Sequence, residues 1–242
     1  MPIDDYLGKI EGIRSSNRVF RKHTNLSDND LEDYIILESK SHDSHSYPDL
    51  LVSKKRSHLS LHWFDAHKAL NQENSFMLNL RQFVDYLMLL KSGKVYDGKG
   101  RKLHEIESLS LFRGIIAPMK PFRAEWLDAY FKADIFSDSI RINYNHKCIN
   151  NSWVAGISEQ LHNHLENTRN PGINLENWLI YATFQGLPDK FIELGDISYF
   201  APCKEKEFVA WFDAIELMTY LTCQGDPQTE NESLGVRPAK FK

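Results

Sequence analysis

The chain has 242 residues, 42% of them apolar and 26% charged, with a net charge of −4. That balance suits a globular protein of one large domain or two small ones, and the weak negative charge excludes a general polyanion-binding surface. No apolar run approaches the roughly 18 residues that a membrane-spanning helix requires.

Met1-Pro2-Ile3-Asp4-Asp5 lacks the basic and apolar regions of a signal peptide. The three cysteines, Cys148, Cys203 and Cys223, are odd in number and far apart. Together these features lead us to expect a cytoplasmic protein with reduced thiols, with a Cys203–Cys223 bridge between neighbouring strands as the alternative. Asp4 to Ile13 suits a short helix, and Ser27-Asp28-Asn29-Asp30 suits the cap of a second one over Leu31 to Glu38. Ser39 to Pro48 reads as a polar loop. Residues 1–50 are expected to form an N-terminal extension packed on a domain spanning 51–242. Lys54-Lys55-Arg56 is the single tight basic cluster and reads as a solvated turn, so no nucleic-acid partner is expected.

The apolar spacing then predicts a helix over Leu61 to Gln72, with Trp63, His67 and Leu70 on one face. Asn79 is placed to cap a further helix carrying Phe83, Leu87 and Leu90, which Ser92-Gly93 stops. Tyr96 to Gly100 is a turn, and His104 to Ile116 is a third helix. Pro121 to Asp128 is dense in charged and aromatic groups. It reads as a helix start locked by Arg123 with Asp128 or Glu125. Its alternative is a recognition pocket with Trp126 as a platform and Arg123 as an anion hook. Phe131 to Phe136 and Ile140 to Tyr144 alternate as a hairpin around Ser137-Asp138-Ser139. Asn145 to Trp153 continues as a turn and another strand. Later strands are expected at Ile197–Pro202, Phe208–Phe212 and Leu234–Arg237. Trp153, Trp178 and Trp211 read as core or half-core aromatics. Helices in the first half and hairpins in the second predict an α+β fold.

The histidines offer pairs but no array. His58 and His62, His42 and His45, and His162-Asn163-His164 with Glu166 read as surface or capping groups. A catalytic zinc wants three protein ligands, and no H-E-x-x-H run occurs. Phosphate-binding glycine loops and nucleophile elbows are also absent, so no cofactor and no metal are expected.

Three short motifs carry a resemblance. Trp63-Phe64-Asp65-Ala66 resembles the opening of the first helix in the C-type-lectin-like fold, in the branch of formylglycine-generating enzymes and retroelement-diversified binding proteins. Phe76-Met77-Leu78-Asn79-Leu80 resembles the turn opening its second helix, with Asn79 in place of the capping Thr. Ser233-Leu234-Gly235-Val236-Arg237-Pro238-Ala239 resembles its closing strand. The resemblance implies a lectin-like domain with a large insertion around 94–170. Formylglycine generation would need a close cysteine pair for copper, which this chain lacks. Lectin calcium binding is echoed only by Asp226-Pro227-Gln228, with Asp226, Glu230 and Glu232 as an acidic loop. In the diversified members a fixed scaffold displays variable side chains just before the closing strand. The scaffold positions match Ala214, Leu221, Cys223, Asp226-Pro227 and Ser233 to Arg237. Between them lie Trp211, Asp213, Glu216, Met218, Tyr220 and Gln224, the expected binding surface. Adenine-directed mutagenesis of asparagine-type codons cannot yield Trp, Met, Glu or Gln, so the chain reads as a fixed relative or one diversified from other codons. The expected function is a non-catalytic module that binds a protein or small ligand through residues 211–232. The alternatives are a metal-assisted enzyme using His, Asp and Glu of the central insertion, and a subunit that forms homo-oligomers through the aromatic segment.

Overall fold

The structure, a computed structural model, describes residues 27–242 except 44, 119, 150–151, 167, 193–194 and 216–217. The helix expected at Asp4–Ile13 lies outside the described residues. The first half comprises α1 (Asp28–Leu31), β1 (Tyr34–Leu37), β2 (Lys40–His42), β3 (His45–Tyr47), β4 (Leu50–Ser53), α2 (Trp63–Gln72), β5 (Phe76–Met77), α3 (Leu80–Ser92) and α4 (Glu105–Ile116). The second half comprises β6 (Arg123–Ala133), β7 (Ile140–Tyr144), β8 (Lys147–Ile149), β9 (Ser152–Val154), β10 (Ile157–Gln160), β11 (Arg169–Ile173) and α5 (Leu175–Tyr181). It continues through β12 (Ile197–Phe200), β13 (Phe208–Ile215), β14 (Met218–Gly225), β15 (Leu234–Gly235) and β16 (Pro238–Phe241). The class is α+β. No helix among the described residues is long and apolar enough to cross a membrane.

A small sheet runs β1-β4-β16-β5. The helix expected over Leu31–Glu38 is instead the short α1 followed by β1. Tyr34-Ile35-Ile36-Leu37 carries two β-branched residues that are stiff in a helix and fit a pleated surface. Ile35 and Ile36 pair with Val52 and Leu51, and all four are buried. The β2–β3 hairpin is tied down by Asp85 of α3. Asp85 accepts hydrogen bonds from Tyr47 Oη at 2.6 Å, Arg81 at 2.9 Å and Lys40 Nζ at 3.0 Å, and its Oδ2 lies 2.8 Å from His42 Nε2. Burial works to raise the Asp85 carboxyl, but Arg81, Tyr47 and Lys40 together hold it below its usual range.

Local signals place α3 as expected. Asn79 Oδ1 accepts from the Gln82 amide at 2.9 Å, and Gln82 Oε1 accepts from the Asn79 amide at 3.0 Å, a complete capping box. Gly93 closes the helix at φ 68°. Phe83 and Leu87 are fully buried, as is Trp63 of α2.

The large sheet runs β10-β7-β6-β13-β14-β12-β11, with β15 beside the start of β6. Residues 94–170 therefore supply β6, an interior strand of this sheet. Pro121–Asp128 is no helix start, because Arg123 onward pairs with β13. One face of this sheet, through Leu127, Ala129, Phe131, Phe212, Leu221 and Cys223, joins the main core with α3. The opposite face is covered at one end by α2, where Trp63, Ala66 and Leu70 pack with Ala124, Trp126, Val209 and Val236.

The closing run behaves as its residues require. Val236 is buried. Arg237 forms a two-pronged pair with Glu125, Nε to Oε2 at 3.0 Å and Nη2 to Oε1, and donates to the carbonyls of Ser53 at 2.9 Å and Lys54 at 2.6 Å. A Cβ on Gly235 would stand 2.8 Å from the Ser57 carbonyl and 2.6 Å from Leu59. The three cysteines are free thiols.

Candidate functional site

Strand alternation sorts residues 211–224 onto two faces. The register pairs Trp211 with Thr222, Asp213 with Tyr220 and Ile215 with Met218. These side chains stand opposite the main core. Of the scaffold positions, Ala214, Leu221 and Leu234 are buried. Asp226 is exposed and holds a turn by accepting from the Gln228 amide at 2.9 Å. Trp211, Met218, Tyr220 and Gln224 are half-buried, and Glu216 lies outside the described residues. The Tyr220 ring stacks on Phe200 of β12 with centroids 6.2 Å apart. The Trp211 ring lies over Gly225, where any Cβ would collide with it. Gln224 Nε2 is spent on the Ala201 carbonyl at 2.6 Å.

Asp213 departs from the expected exposure. It is 9% exposed, and its Oδ1 has no hydrogen-bond partner among the described residues. Burial pushes its carboxyl up to about 7, against a lowering hydrogen bond from Trp211. A carboxyl titrating near neutrality in the middle of an aromatic face is poised to receive a hydrogen-bond donor.

The pocket expected around Trp126 and Arg123 does not form. Trp126 is 1% exposed, its Nε1 donates to the Leu61 carbonyl at 3.0 Å, and its ring packs edge-on against Trp211 at 5.4 Å. Arg123 donates to the Gly114 carbonyl. It pairs with neither expected carboxylate, because Glu125 is held by Arg237 and Asp128 by His146. In the acidic loop, Glu230 lies 2.9 Å from His62 Nε2.

A second cluster lies under α2, on the same face of the sheet as Trp126. His67 comes from α2, Asp128 from β6 and His146 from the turn after β7. Asp128 sits at an irregularity of β6. Val209 pairs with Tyr130 and Ala210 with Leu127, so Asp128 and Ala129 have no β13 partner. The Asp128 amide instead donates to the Leu78 carbonyl at 2.8 Å. His146 follows Asn145, a left-handed residue at φ 56°. Asn79 Nδ2 grips the Asn145 side chain at 3.2 Å, and the Gly156 amide donates to its carbonyl at 3.1 Å. The cap of α3 thus also fixes the turn that presents His146. The His146 amide donates to Asp128 Oδ2 at 3.0 Å, and His146 Nδ1 lies 2.5 Å from Oδ1.

No protein-family model, curated protein or solved structure matches the chain.

In the sequence His67 belongs to a helix face, Asp128 is a candidate partner for Arg123, and His146 lies in a turn. The three are far apart in the chain, so no ligand spacing marks them. The nearest local signal is Asn145-His146, a residue type that tolerates positive φ ahead of a histidine.

Proposed function

We propose that this chain is a lectin-like binding module that presents the half-buried face of β13 and β14 to a ligand with an apolar surface and a hydrogen-bond donor. The order of elements supports the lectin-like reading. A strand pair, β1 and β4, is followed by helices α2 and α3 and a hairpin-rich sheet. The closing strand β16 then returns to lie antiparallel beside β4. The observation that carries the binding reading is Asp213 Oδ1, buried and unpartnered among the described residues, between Trp211 and Tyr220. Buried polar groups are nearly always satisfied, so an unsatisfied one in an aromatic face calls for a partner from outside. Trp and Tyr at such a face supply the large contact area on which affinity concentrates.

The test is a double replacement, Trp211→Ala with Tyr220→Ala, both half-buried in this face. A thermal-shift screen of the wild-type chain against amines, nucleosides, sugars and peptides identifies binders. The double variant is expected to melt within a few degrees of wild type and to lose more than about tenfold in affinity for each binder. Unchanged affinity, or a variant with no cooperative transition, would make this segment core and end the proposal.

A further inference from the structure

We propose that His67, Asp128 and His146 form a divalent-metal site, zinc being the ion their chemistry fits. One ligand atom from each residue lies within 4.8 Å of the other two. His67 Nε2 is 3.5 Å from Asp128 Oδ1, yet it makes no hydrogen bond among the described residues. Two ligands about 2.05 Å from a tetrahedral zinc stand about 3.3 Å apart, so this separation already matches a bridged pair. The His146 to Asp128 distance, 2.5 Å, is that of a hydrogen bond. It would open by about 0.8 Å to the spacing of a bridged pair when the ion replaces the shared proton.

The surroundings favour a cation over an empty hydrogen-bonded triad. His67 and Asp128 are 3% and 1% exposed. The His67 imidazole and the Asp128 carboxylate face each other in a nearly dry space. Asp128 has its hydrogen bonds from the His146 turn, but His67 Nε2 contributes nothing to that network. A buried ring nitrogen without a hydrogen bond is costly, and Asp128 Oδ1 stands within ligand distance of it. One divalent ion would satisfy both groups.

Two imidazoles and one carboxylate are a three-ligand set that leaves a fourth position for water or an outside ligand. A shell of rings restricts entry to that position. Trp63 packs edge-on against His67 at 4.2 Å and against His146 at 5.1 Å, and Trp153 lies 5.6 Å from His67. The irregularity in β6 and the left-handed Asn145 are backbone departures that aim Asp128 and His146 at a common point. This site is separate from the β13–β14 face and does not rest on the binding reading.

The test uses the full chain, purified without a metal-affinity step, stripped with chelator and titrated with Zn²⁺ and with Co²⁺. Wild type is expected to take up one equivalent of each, to gain several degrees in melting temperature, and to show the visible absorption of tetrahedral Co²⁺. His67→Gln and Asp128→Asn should each lower zinc affinity by about 100-fold or more, since even indirect support of a metal ligand is worth 10- to 100-fold. Both variants, without metal, should melt as cooperatively as stripped wild type. His146→Gln serves in place of either variant that fails to fold. A stripped wild type whose melting point and spectrum ignore both ions would overturn the proposal, as would one-to-one uptake that survives loss of His67 or Asp128.

Discussion

Asp213→Asn isolates a single buried proton. The folded chain holds this carboxyl at about 7, against 3.8 in an exposed chain. The folded state therefore binds the proton more tightly than the unfolded state. A group of this kind costs nothing below its unfolded value. Stability falls as pH rises from about 4 to about 7 and is level above that. At about 1.4 kcal/mol per tenfold change in proton affinity, the penalty is about 1.5 kcal/mol at pH 5 and about 4 kcal/mol at pH 8. Asparagine keeps the shape and cannot ionise. The variant should therefore be modestly more stable than wild type at pH 5 and much more stable at pH 8. In a chain of this size the larger difference corresponds to about 10 °C in melting temperature. Paired urea or thermal melts at pH 5, 6.5 and 8 would measure it. A gap independent of pH, or a variant less stable than wild type at pH 8, would refute an ionised Asp213 whose Oδ1 lacks a partner.

Asp85→Asn should cost about 3–5 kcal/mol at neutral pH, because it leaves the Arg81 guanidinium buried without its charge partner. The Asp85 carboxyl is held below its usual range, so its contribution is present above the unfolded value and is lost as the medium is acidified. The gap between wild type and variant should narrow accordingly in acid urea melts. Leu87→Ala removes a fully buried side chain from α3 and should cost about 2–5 kcal/mol in chemical denaturation. A loss under about 1 kcal/mol would mean that this helix face packs elsewhere. Deleting residues 233–242 removes β15, β16 and the Arg237 partner of Glu125, and should abolish cooperative melting by calorimetry. A truncated chain that melts near wild type would show that the small sheet stands without its third strand.

What could be read from the sequence was local or self-contained. The Asn79–Gln82 box and Gly93 mark both ends of α3 within a few residues of the atoms they satisfy. The burial of Val236 and the tight setting of Gly235 follow from a compact apolar run with no room for a side chain. The α+β class follows from the separation of periods along the chain. The failures are places where a distant partner decides. Tyr34–Leu37 is a strand because Leu51 and Val52 stand beside it. Pro121–Asp128 looks like a charged helix start, yet β13 recruits it into the sheet from 80-odd positions downstream, a long-range pairing that no local periodicity reports. The resemblance assigns Trp211, Met218, Tyr220 and Gln224 to one surface, and strand alternation puts them on a common face of the sheet. It could not foresee that Asp213, paired with Tyr220 across the strands, would be buried. His67, Asp128 and His146 converge only after α2 has docked on the sheet, so no motif could have named them.

The place of β16 has a consequence for how the chain is made. Pro238–Phe241 fills the slot between β4 and β5, pairing Ala239 with both Val52 and Phe76. Until that stretch leaves the ribosome, two early strands keep bare hydrogen-bonding edges lined by Leu51, Val52 and Met77. Such edges invite pairing with other nascent chains. Closing the gap also fastens positions almost two hundred residues apart, a slow step in chain search. Newly synthesised molecules would therefore pass through an aggregation-prone interval that ends only when β16 inserts. Conditions that slow translation near that segment should lower the soluble yield without altering the stability of the molecules that finish.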